Sequence, residues 1–254
     1  MYSIGVIAVN TFRENLRDKI LYNLLLFAGL LIAASMLLSK LSMGEQDKIV
    51  TDMGLAAINF IGVAVAVFVG IGLVSKEIER RTIYTIMARP ISRVQFLLGK
   101  YLGLVMTLSV NITVMLLVFL FTIWWSAGAL LVSLFQAVQL IFIEVLVVTA
   151  LALFFSTFSS AMLSASLTIG LYVIGHLTTD LKGIAEESQN EVATRLLTGI
   201  YYLCPNLEML NIKGQAAAGV SVSLAYQSMA TLYGLFYVGL LLALSCVVFE
   251  RRDF

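Results

Sequence analysis

One acid stands inside a long apolar run of this sequence, and it is the side chain best placed to do chemistry in an apolar environment. Glu144 lies near the middle of the segment Leu130–Ser156, which contains no other charged residue. A charged carboxylate at the centre of a membrane costs about 2.5–3.5 kcal/mol on insertion scales. Such an acid can bind a proton or an ion during transport, or it can hold helices together through a hydrogen bond. We favour the second interpretation.

Three further polar side chains stand within apolar runs and could act with this acid. Counted from the predicted turn at Trp125–Ala129, Asn111 and Glu144 lie at nearly equal depth. We therefore expect them to share a hydrogen bond, in which Glu144 can carry a proton. Asn59 and His176 lie toward the predicted outer side, where they could line an exit vestibule. A histidine satisfied by its neighbours near the membrane interface is the simpler interpretation of His176.

The sequence carries no motif for catalysis. It lacks the phosphate-binding pattern G-x-x-x-x-G-K-[ST], since Gly99-Lys100 is followed by Tyr101, and it lacks H-E-x-x-H and G-x-S-x-G. A single histidine argues against a metal cluster. The two cysteines, Cys204 and Cys246, are predicted on opposite sides of the membrane and cannot form a disulfide. We expect no enzyme activity, no metal and no cofactor in this chain.

Charged residues are concentrated in one stretch, SKEIERRTIYTIMARPISRVQFLLGKYLG, which covers residues 75–103. Its charged residues are Lys76, Glu77, Glu79, Arg80, Arg81, Arg89, Arg93 and Lys100. Such a loop could simply enforce topology, but its layout also predicts a short amphipathic helix. Four apolar residues can share one face of that helix: Ile78, Ile83, Ile86 and Met87. Arg89-Pro90 ends the helix, because the residue before proline is driven out of the helical region, and Ser92 can cap the helix that follows.

The elements that must position these side chains are membrane spans. The chain is 60% hydrophobic and 12% charged, with a mean hydropathy of +0.98, which is typical of an integral membrane protein. About 20 apolar residues cross the hydrocarbon core as a helix, and no strand-like alternation competes. Six segments qualify: Ile20–Ser39, Met53–Ser75, Tyr101–Trp124, Leu130–Ser156, Ala161–Thr178 and Tyr226–Phe249. Gly62, Ala66 and Gly70, four residues apart, predict close approach of another helix.

Lysine and arginine in the loops predict the orientation, with both termini in the cytoplasm. Eleven lie on the predicted inner side: Arg13, Arg17, Lys19, Lys76, Arg80, Arg81, Arg89, Arg93, Lys100, Arg251 and Arg252. Five lie on the outer side: Lys40, Lys48, Lys182, Arg195 and Lys213. The first span is predicted to be a retained anchor, since it lies too far from the N-terminus for a cleaved signal peptide. A net charge of +1 indicates no nucleic-acid partner.

The fold class predicted from these patterns is an all-α membrane protein with one transmembrane domain, residues 1–254. Residues 1–19 form an amphipathic helix in the interface, because Ile4, Ala8, Phe12 and Leu16 recur every four residues. Spans one to five cover 20–178, an outer loop covers 179–225, the sixth span covers 226–249, and 250–254 is a cytoplasmic tail. Within the outer loop, a helix is expected before Pro205, and a short re-entrant or interfacial segment after it.

The charged stretch resembles the loop after the second helix of type-2 ABC (ATP-binding cassette) transporter permeases. The matching positions are Glu77 or Glu79, Arg80, Thr82, Pro90, Ser92, Arg93, Gly99 and Lys100. The start NTFRENLRDKILYNLLLF and the segment LCPNLEMLNIKG resemble the branch labelled as multi-copper-enzyme maturation permeases. The family resemblance covers the whole chain.

The resemblance implies an exporter half in a prokaryotic inner membrane, in which two permease copies pair, as a homodimer or heterodimer, above two ATPase subunits. The cofactor, ATP with Mg²⁺, belongs to the ATPase. A coupling helix in the charged loop would meet that subunit, and its implied coupling residues are Glu77, Glu79, Arg80, Arg81, Thr82, Arg89, Pro90 and Arg93. The substrate path would lie around spans two and five.

Two alternatives stay open. The chain could be a proton-coupled secondary transporter that uses Glu144 and needs no ATPase, although the lone acid and the absence of an inverted repeat count against it. It could also transmit ATPase motion to an extracytoplasmic partner without moving a solute, with the acidic outer loop as the contact.

Overall fold

The computed structural model describes residues 2–39, 46–79, 92–126, 132–187 and 191–251, and every regular element among them is helical. The helices are α1 (Tyr2–Leu16), α2 (Lys19–Ser39), α3 (Gln46–Glu79), α4 (Arg93–Ser126), α5 (Val132–Ser156), α6 (Ala161–Glu187), α7 (Glu191–Leu203), the 3₁₀ turn η1 (Leu207–Leu210), α8 (Lys213–Ala217) and α9 (Leu224–Glu250).

Within the described residues, five helices are apolar and long enough to cross a membrane: Asp47–Gly72 in α3, Arg93–Trp125 in α4, Val132–Ser156 in α5, Ala161–Ala185 in α6 and Leu224–Glu250 in α9. They correspond to the second to sixth predicted spans, so the chain is a multi-pass membrane protein. The first predicted span, Ile20–Ser39, is helical as α2, but its described apolar stretch is the shorter Leu24–Ser35. The count of six spans therefore stays a prediction.

Helix α5 is the centre of the bundle, and nearly all of its side chains are buried. It runs parallel to α3, and the two helices approach closely at the glycines that the sequence singled out. A Cβ added to Gly62 would lie 2.9 Å from Val145 Cγ2, and one added to Gly70 would lie 3.2 Å from the Cβ of Ala152. The prediction of close helix packing at this spacing is confirmed.

Helices α4 and α9 meet at one end of the bundle, which we call the Arg93 end, where α4 begins and α9 ends. The rings of Phe96 and Phe249 stack there with centroids 6.2 Å apart. Toward the opposite end, α9 is fastened to α5 by a chain of amide hydrogen bonds through Gln136, Gln227 and Gln139, which we call the amide ladder.

Helix α1 lies alongside the first half of α4 and runs in the same direction. Asn15 Nδ2 donates to Thr107 Oγ1 at 3.2 Å, and Gly99 and Gly103 give the space for this contact. At Gly103 an added Cβ would lie 2.7 Å from the carbonyl oxygen of Ala8. The helix that the sequence predicted before the first span is present, and its place in the membrane interface stays a prediction.

The segment between α7 and α9 folds into the bundle rather than over it. Leu207, Leu210, Ile212 and Ala216 all belong to the hydrophobic core. Leu210 approaches Gly234 of α9 at the level of Ile143, one residue before Glu144. The expected outer helix before Pro205 is in fact two helices, since α6 continues to Glu187 and α7 begins at Glu191.

Candidate functional site

Three spans bring polar side chains together at the centre of the bundle. Glu144 of α5 is fully buried, and Asn59 of α3 is 2% exposed. The amide Nδ2 of Asn59 lies 3.3 Å from both carboxylate oxygens and donates to them. Asn59 reaches the acid because it precedes the close α3–α5 contact at Gly62 by about one helical turn.

His176 of α6 is the third member, and it approaches the same carboxylate. Its Nε2 lies 3.4 Å from Glu144 Oε1, an ion-pair distance, although the alignment falls short of a hydrogen bond. Its Nδ1 lies 3.2 Å from the carbonyl oxygen of Tyr172, which can only accept, so the hydrogen belongs on Nδ1. Nε2 is then the ring nitrogen that faces Glu144.

Tyr172 and Lys213 complete the surroundings of the acid. The hydroxyl of Tyr172 faces the Glu144 carboxylate, and its ring packs on the His176 ring with centroids 4.7 Å apart. Lys213, at the start of α8, acts on the carboxylate through its positive charge. We call Asn59, Glu144, Tyr172 and His176 the Glu144 cluster.

The expected hydrogen bond between Asn111 and Glu144 is wrong. Asn111 is 1% exposed, and neither amide atom has a hydrogen-bond partner among the described residues. Ile112, the next residue of α4, faces Gly62 of α3, and successive helical residues point about 100° apart. Asn111 is therefore turned away from the seam in which Glu144 lies. Depth was estimated from the sequence, but the direction of the side chain was not.

The charged loop is described only at its two ends. Glu77 and Glu79 lie in the last turns of α3. The other implied coupling residues before α4 lie outside the described residues: Arg80, Arg81, Thr82, Arg89 and Pro90. At the start of α4, Ser92 Oγ accepts from the backbone N–H of Gln95 at 3.2 Å, and Gln95 Oε1 accepts from the backbone N–H of Ser92 at 3.2 Å. This capping box confirms the predicted cap.

Arg93, the first residue of α4, binds the end of α9. Its Nη1 donates to the carbonyl oxygens of Phe249 at 3.1 Å and Glu250 at 3.0 Å. One turn later, Phe96 stacks on Phe249, and Lys100 lies over the Phe96 ring at 5.8 Å. We call Arg93, Phe96, Lys100 and Phe249 the Arg93 junction.

Several of these contacts were missed from the sequence. Tyr172 could have been found, because it precedes His176 by four residues and so shares its helix face. The role of Lys213 had no signal, since it depends on how the segment after Pro205 folds back. The carbonyls that Arg93 binds belong to the main chain, which carries no residue-specific signal at all.

The arrangement holds helices together, and it offers little for a reaction. The described residues hold no group of three or more His, Cys, Asp or Glu side chains that could bind a metal ion. Cys204 and Cys246 are both free, and burial raises the pKa of the Cys204 thiol. Glu144 is sealed among packed helices, so a solute could reach it only after a rearrangement.

Comparison with known proteins supplies the family. A family model described as an ABC-2 family transporter protein matches residues 7–254, which include the Glu144 cluster, the charged loop and the Arg93 junction. No curated protein matches the chain. Because the match covers nearly the whole of a multi-pass helical bundle, the chain belongs to the ABC-2 family of transporter permeases, the membrane component of an ABC transporter.

Proposed function

We propose that this chain is the permease half of an ATP-driven exporter and is moved by a separate ATPase subunit. Membership of the family implies an ABC ATPase partner, and the membrane component of such a transporter is typically not an enzyme. The proposal adds the coupling route, the direction of transport and the assembly. Two permease copies, identical or different, would pair above two ATPase subunits that bind ATP and Mg²⁺.

The lengths of α3 and α4 are the observation that carries the coupling route. Each helix has 34 residues, so each is about 50 Å long, whereas the hydrocarbon core is about 30 Å thick. In α3 the apolar span ends at Gly72, and the helix continues to Glu79. Residues 80–91, the middle of the charged loop, therefore connect two long helices, the second of which begins with a capped turn. Force applied to this loop would move both helices.

The residue types in the loop suit contact with a folded partner. Arg80, Arg81 and Arg89 offer forked donors that match carboxylates and carbonyls in a fixed geometry, which lysine does not. Pro90 would fix the angle between a coupling helix and α4. In this proposal the loop lies in the cytoplasm of a prokaryotic cell, and the chain has six spans with both termini inside. The excess of Lys and Arg in the predicted inner loops supports the orientation, and the family resemblance supports the prokaryotic cell. The resemblance to multi-copper-enzyme maturation permeases names a branch of the family without naming a substrate.

One observation favours a second candidate, a proton-coupled carrier. A carboxyl group and an imidazole, two groups that can exchange a proton, lie 3.4 Å apart at the centre of the bundle, and such carriers place their coupling site near the bilayer midplane. The complete burial of Glu144 and the family membership favour the ATPase-driven function. A third possibility, transmission of ATPase motion to an extracytoplasmic partner, shares the same coupling loop.

A detergent pull-down of the tagged chain from its native membrane tests the proposal. We expect a stoichiometric ATPase with a phosphate-binding loop, lost when Arg80→Glu and Arg81→Glu are combined. The matched control combines Arg13→Glu and Arg17→Glu, which reverses two exposed arginines, one in α1 and one directly after it, and this variant should retain the ATPase. A chain that purifies alone and moves a solute in ATP-free liposomes, with loss of transport in Glu144→Gln, would support the carrier instead.

A further inference from the structure

The C-terminal end of α9 receives two hydrogen bonds from a cation on another helix. The last four carbonyls of a helix lack partners within that helix, and a nearby cation stabilises them. The last turn of α9 contains no basic residue and ends in Glu250, with Arg251 as the C-cap. Arg93 of α4 supplies the cation and donates to two of these carbonyls, those of Phe249 and Glu250.

We propose that Arg93 carries the movement of the charged loop to α9, as a positioning residue that need not touch the ATPase. This inference rests on the proposed function, because it assumes that the loop is moved by an ATPase. It adds the route by which that motion spreads beyond α3 and α4. It also differs from what the family resemblance implies for Arg93, which is a place among the coupling residues of the loop.

Arg93 is well placed for this task because it lies in the first turn of α4, directly after the loop. The capping box of Ser92 and Gln95 orders the first turn of α4, so the turn should follow the loop as one unit. The guanidinium makes two hydrogen bonds to neighbouring carbonyls, which fix its direction as well as its distance. The Phe96–Phe249 stack adds a second, apolar contact one turn along the same helix face.

The opposite end of α9 is held differently. There the amide ladder fastens the helix to α5, with Gln136 Nε2 bound to Gln227 Oε1 at 2.9 Å and Gln139 Nε2 bound to Thr231 Oγ1 at 3.2 Å. Helix α9 is thus tied to the central helix near its start and to α4 at its end. A displacement of α4 should tilt α9 about the ladder and move the Arg93 end most.

Distances between spin labels in the permease–ATPase complex, measured in nanodiscs with and without ATP and vanadate, test this inference. One pair joins Val247 of α9 to Met162 of α6, two exposed positions at the Arg93 end. The reference pair joins Leu224 of α9 to Val132 of α5, exposed positions at the ladder end. The labels are placed in a chain in which Cys204 and Cys246 are replaced.

We expect the nucleotide to shift the Val247–Met162 distance by about 2 Å or more, and the reference distance by much less. Arg93→Met keeps the apolar stem but removes the donors, and it should remove most of the shift while the ATPase stays bound. Arg93→Lys keeps the charge and should restore part of the shift. Arg251→Met, the matched loss of an exposed arginine at the same end, should leave the shift unchanged.

Two results would overturn the inference. The first is an unchanged shift in Arg93→Met, which would show that α9 moves without this contact. The second is loss of ATPase binding in both Arg93→Met and Arg93→Lys, with wild-type thermal stability, which would make Arg93 part of the ATPase contact. Failure of the proposed function is distinct, because the wild-type chain would then capture no ATPase.

Discussion

The Glu144 cluster and the Arg93 junction are both polar contacts between helices of an apolar bundle, yet they are built from different chemical groups and differ in burial. The cluster lies around a fully buried acid, joins three spans through side chains only, and contains a carboxyl group beside an imidazole. The junction lies at the end of the bundle, is partly exposed, and joins a side-chain cation to main-chain carbonyls. Water can replace a lost partner at the junction but not in the cluster.

Because of this difference, we expect the cluster to stabilise the fold and the junction to transmit movement between helices. A buried polar group that loses its partner keeps the full cost of its burial, about 1–3 kcal/mol for a neutral group and more for a charge. A cation at the exposed end of a helix typically contributes about 0.3–1 kcal/mol. We therefore assign the cluster to holding α3, α5 and α6 in one arrangement, and the junction to a contact that can move.

Removal of the acid should have the largest effect. Glu144→Ala leaves Asn59 and His176 without their shared partner inside the bundle, and should lower the free energy of unfolding by about 3 kcal/mol. Glu144→Gln keeps an acceptor for Asn59 and should cost clearly less. Thermal unfolding of the detergent-solubilised protein, followed by circular dichroism, measures both.

Adding Arg93→Met to the same series tests the difference between the cluster and the junction. We expect this variant to lower the free energy of unfolding by about 1 kcal/mol. Equal destabilisation by Glu144→Ala and Arg93→Met would remove the distinction between the two regions.

A loss of stability smaller than that of Glu144→Ala is expected from a substitution where α1 meets α4. The Cβ of Gly103→Ala would lie 2.6 Å from Thr11 Cβ and 2.7 Å from the Ala8 carbonyl oxygen, and a backbone atom cannot rotate away. We expect a cost of about 1–3 kcal/mol and easier proteolysis of α1. The matched control is Gly5→Ala, because an added Cβ there meets no atom within 4 Å. That variant should gain up to about 1 kcal/mol from helix propensity, and a loss at both sites would contradict the packing of α1 on α4.

Breaking the amide ladder should destabilise the protein less than Gly103→Ala does. Gln136→Leu removes the hydrogen bonds with the main-chain N–H and carbonyl of Val222 and with Gln227, and should destabilise by about 1–2 kcal/mol. Gln139 is exposed, so Gln139→Leu is the matched variant with the smaller expected effect. Differential scanning calorimetry in nanodiscs compares the two, and the reverse order would show that the buried end of the ladder is not the stronger one.

Features that depend on local sequence could be predicted, whereas contacts between distant helices could not. The five spans followed from apolar length alone, and the cap at Ser92 followed from its position between Pro90 and the next apolar run. For the segment after Pro205, which contains Leu210, the sequence left a re-entrant and an interfacial position open, because it does not show which neighbours cover the segment. Its place is decided by the pocket that α5, α6 and α9 form together. To predict which side chains meet across helices, one must know how each helix is rotated about its axis, and the sequence does not give this rotation.

Asn111 and Asn59 make that last point testable, and the expected effect of changing Asn111 is the smallest. Both amides are buried in spans, but Asn59 holds the Glu144 carboxylate, whereas Asn111 has no hydrogen-bond partner among the described residues. Asn111→Leu replaces an unsatisfied amide by an apolar group of similar size, so the free energy of unfolding should stay within about 1 kcal/mol of wild type or rise. Asn59→Leu should lower it by about 2 kcal/mol, because Glu144 loses its amide donor. Thermal unfolding measures both variants. If they lose the same stability, the Asn111 amide has a hydrogen-bond partner in the membrane. Depth in the bundle would then be a better guide to polar contacts than side-chain direction.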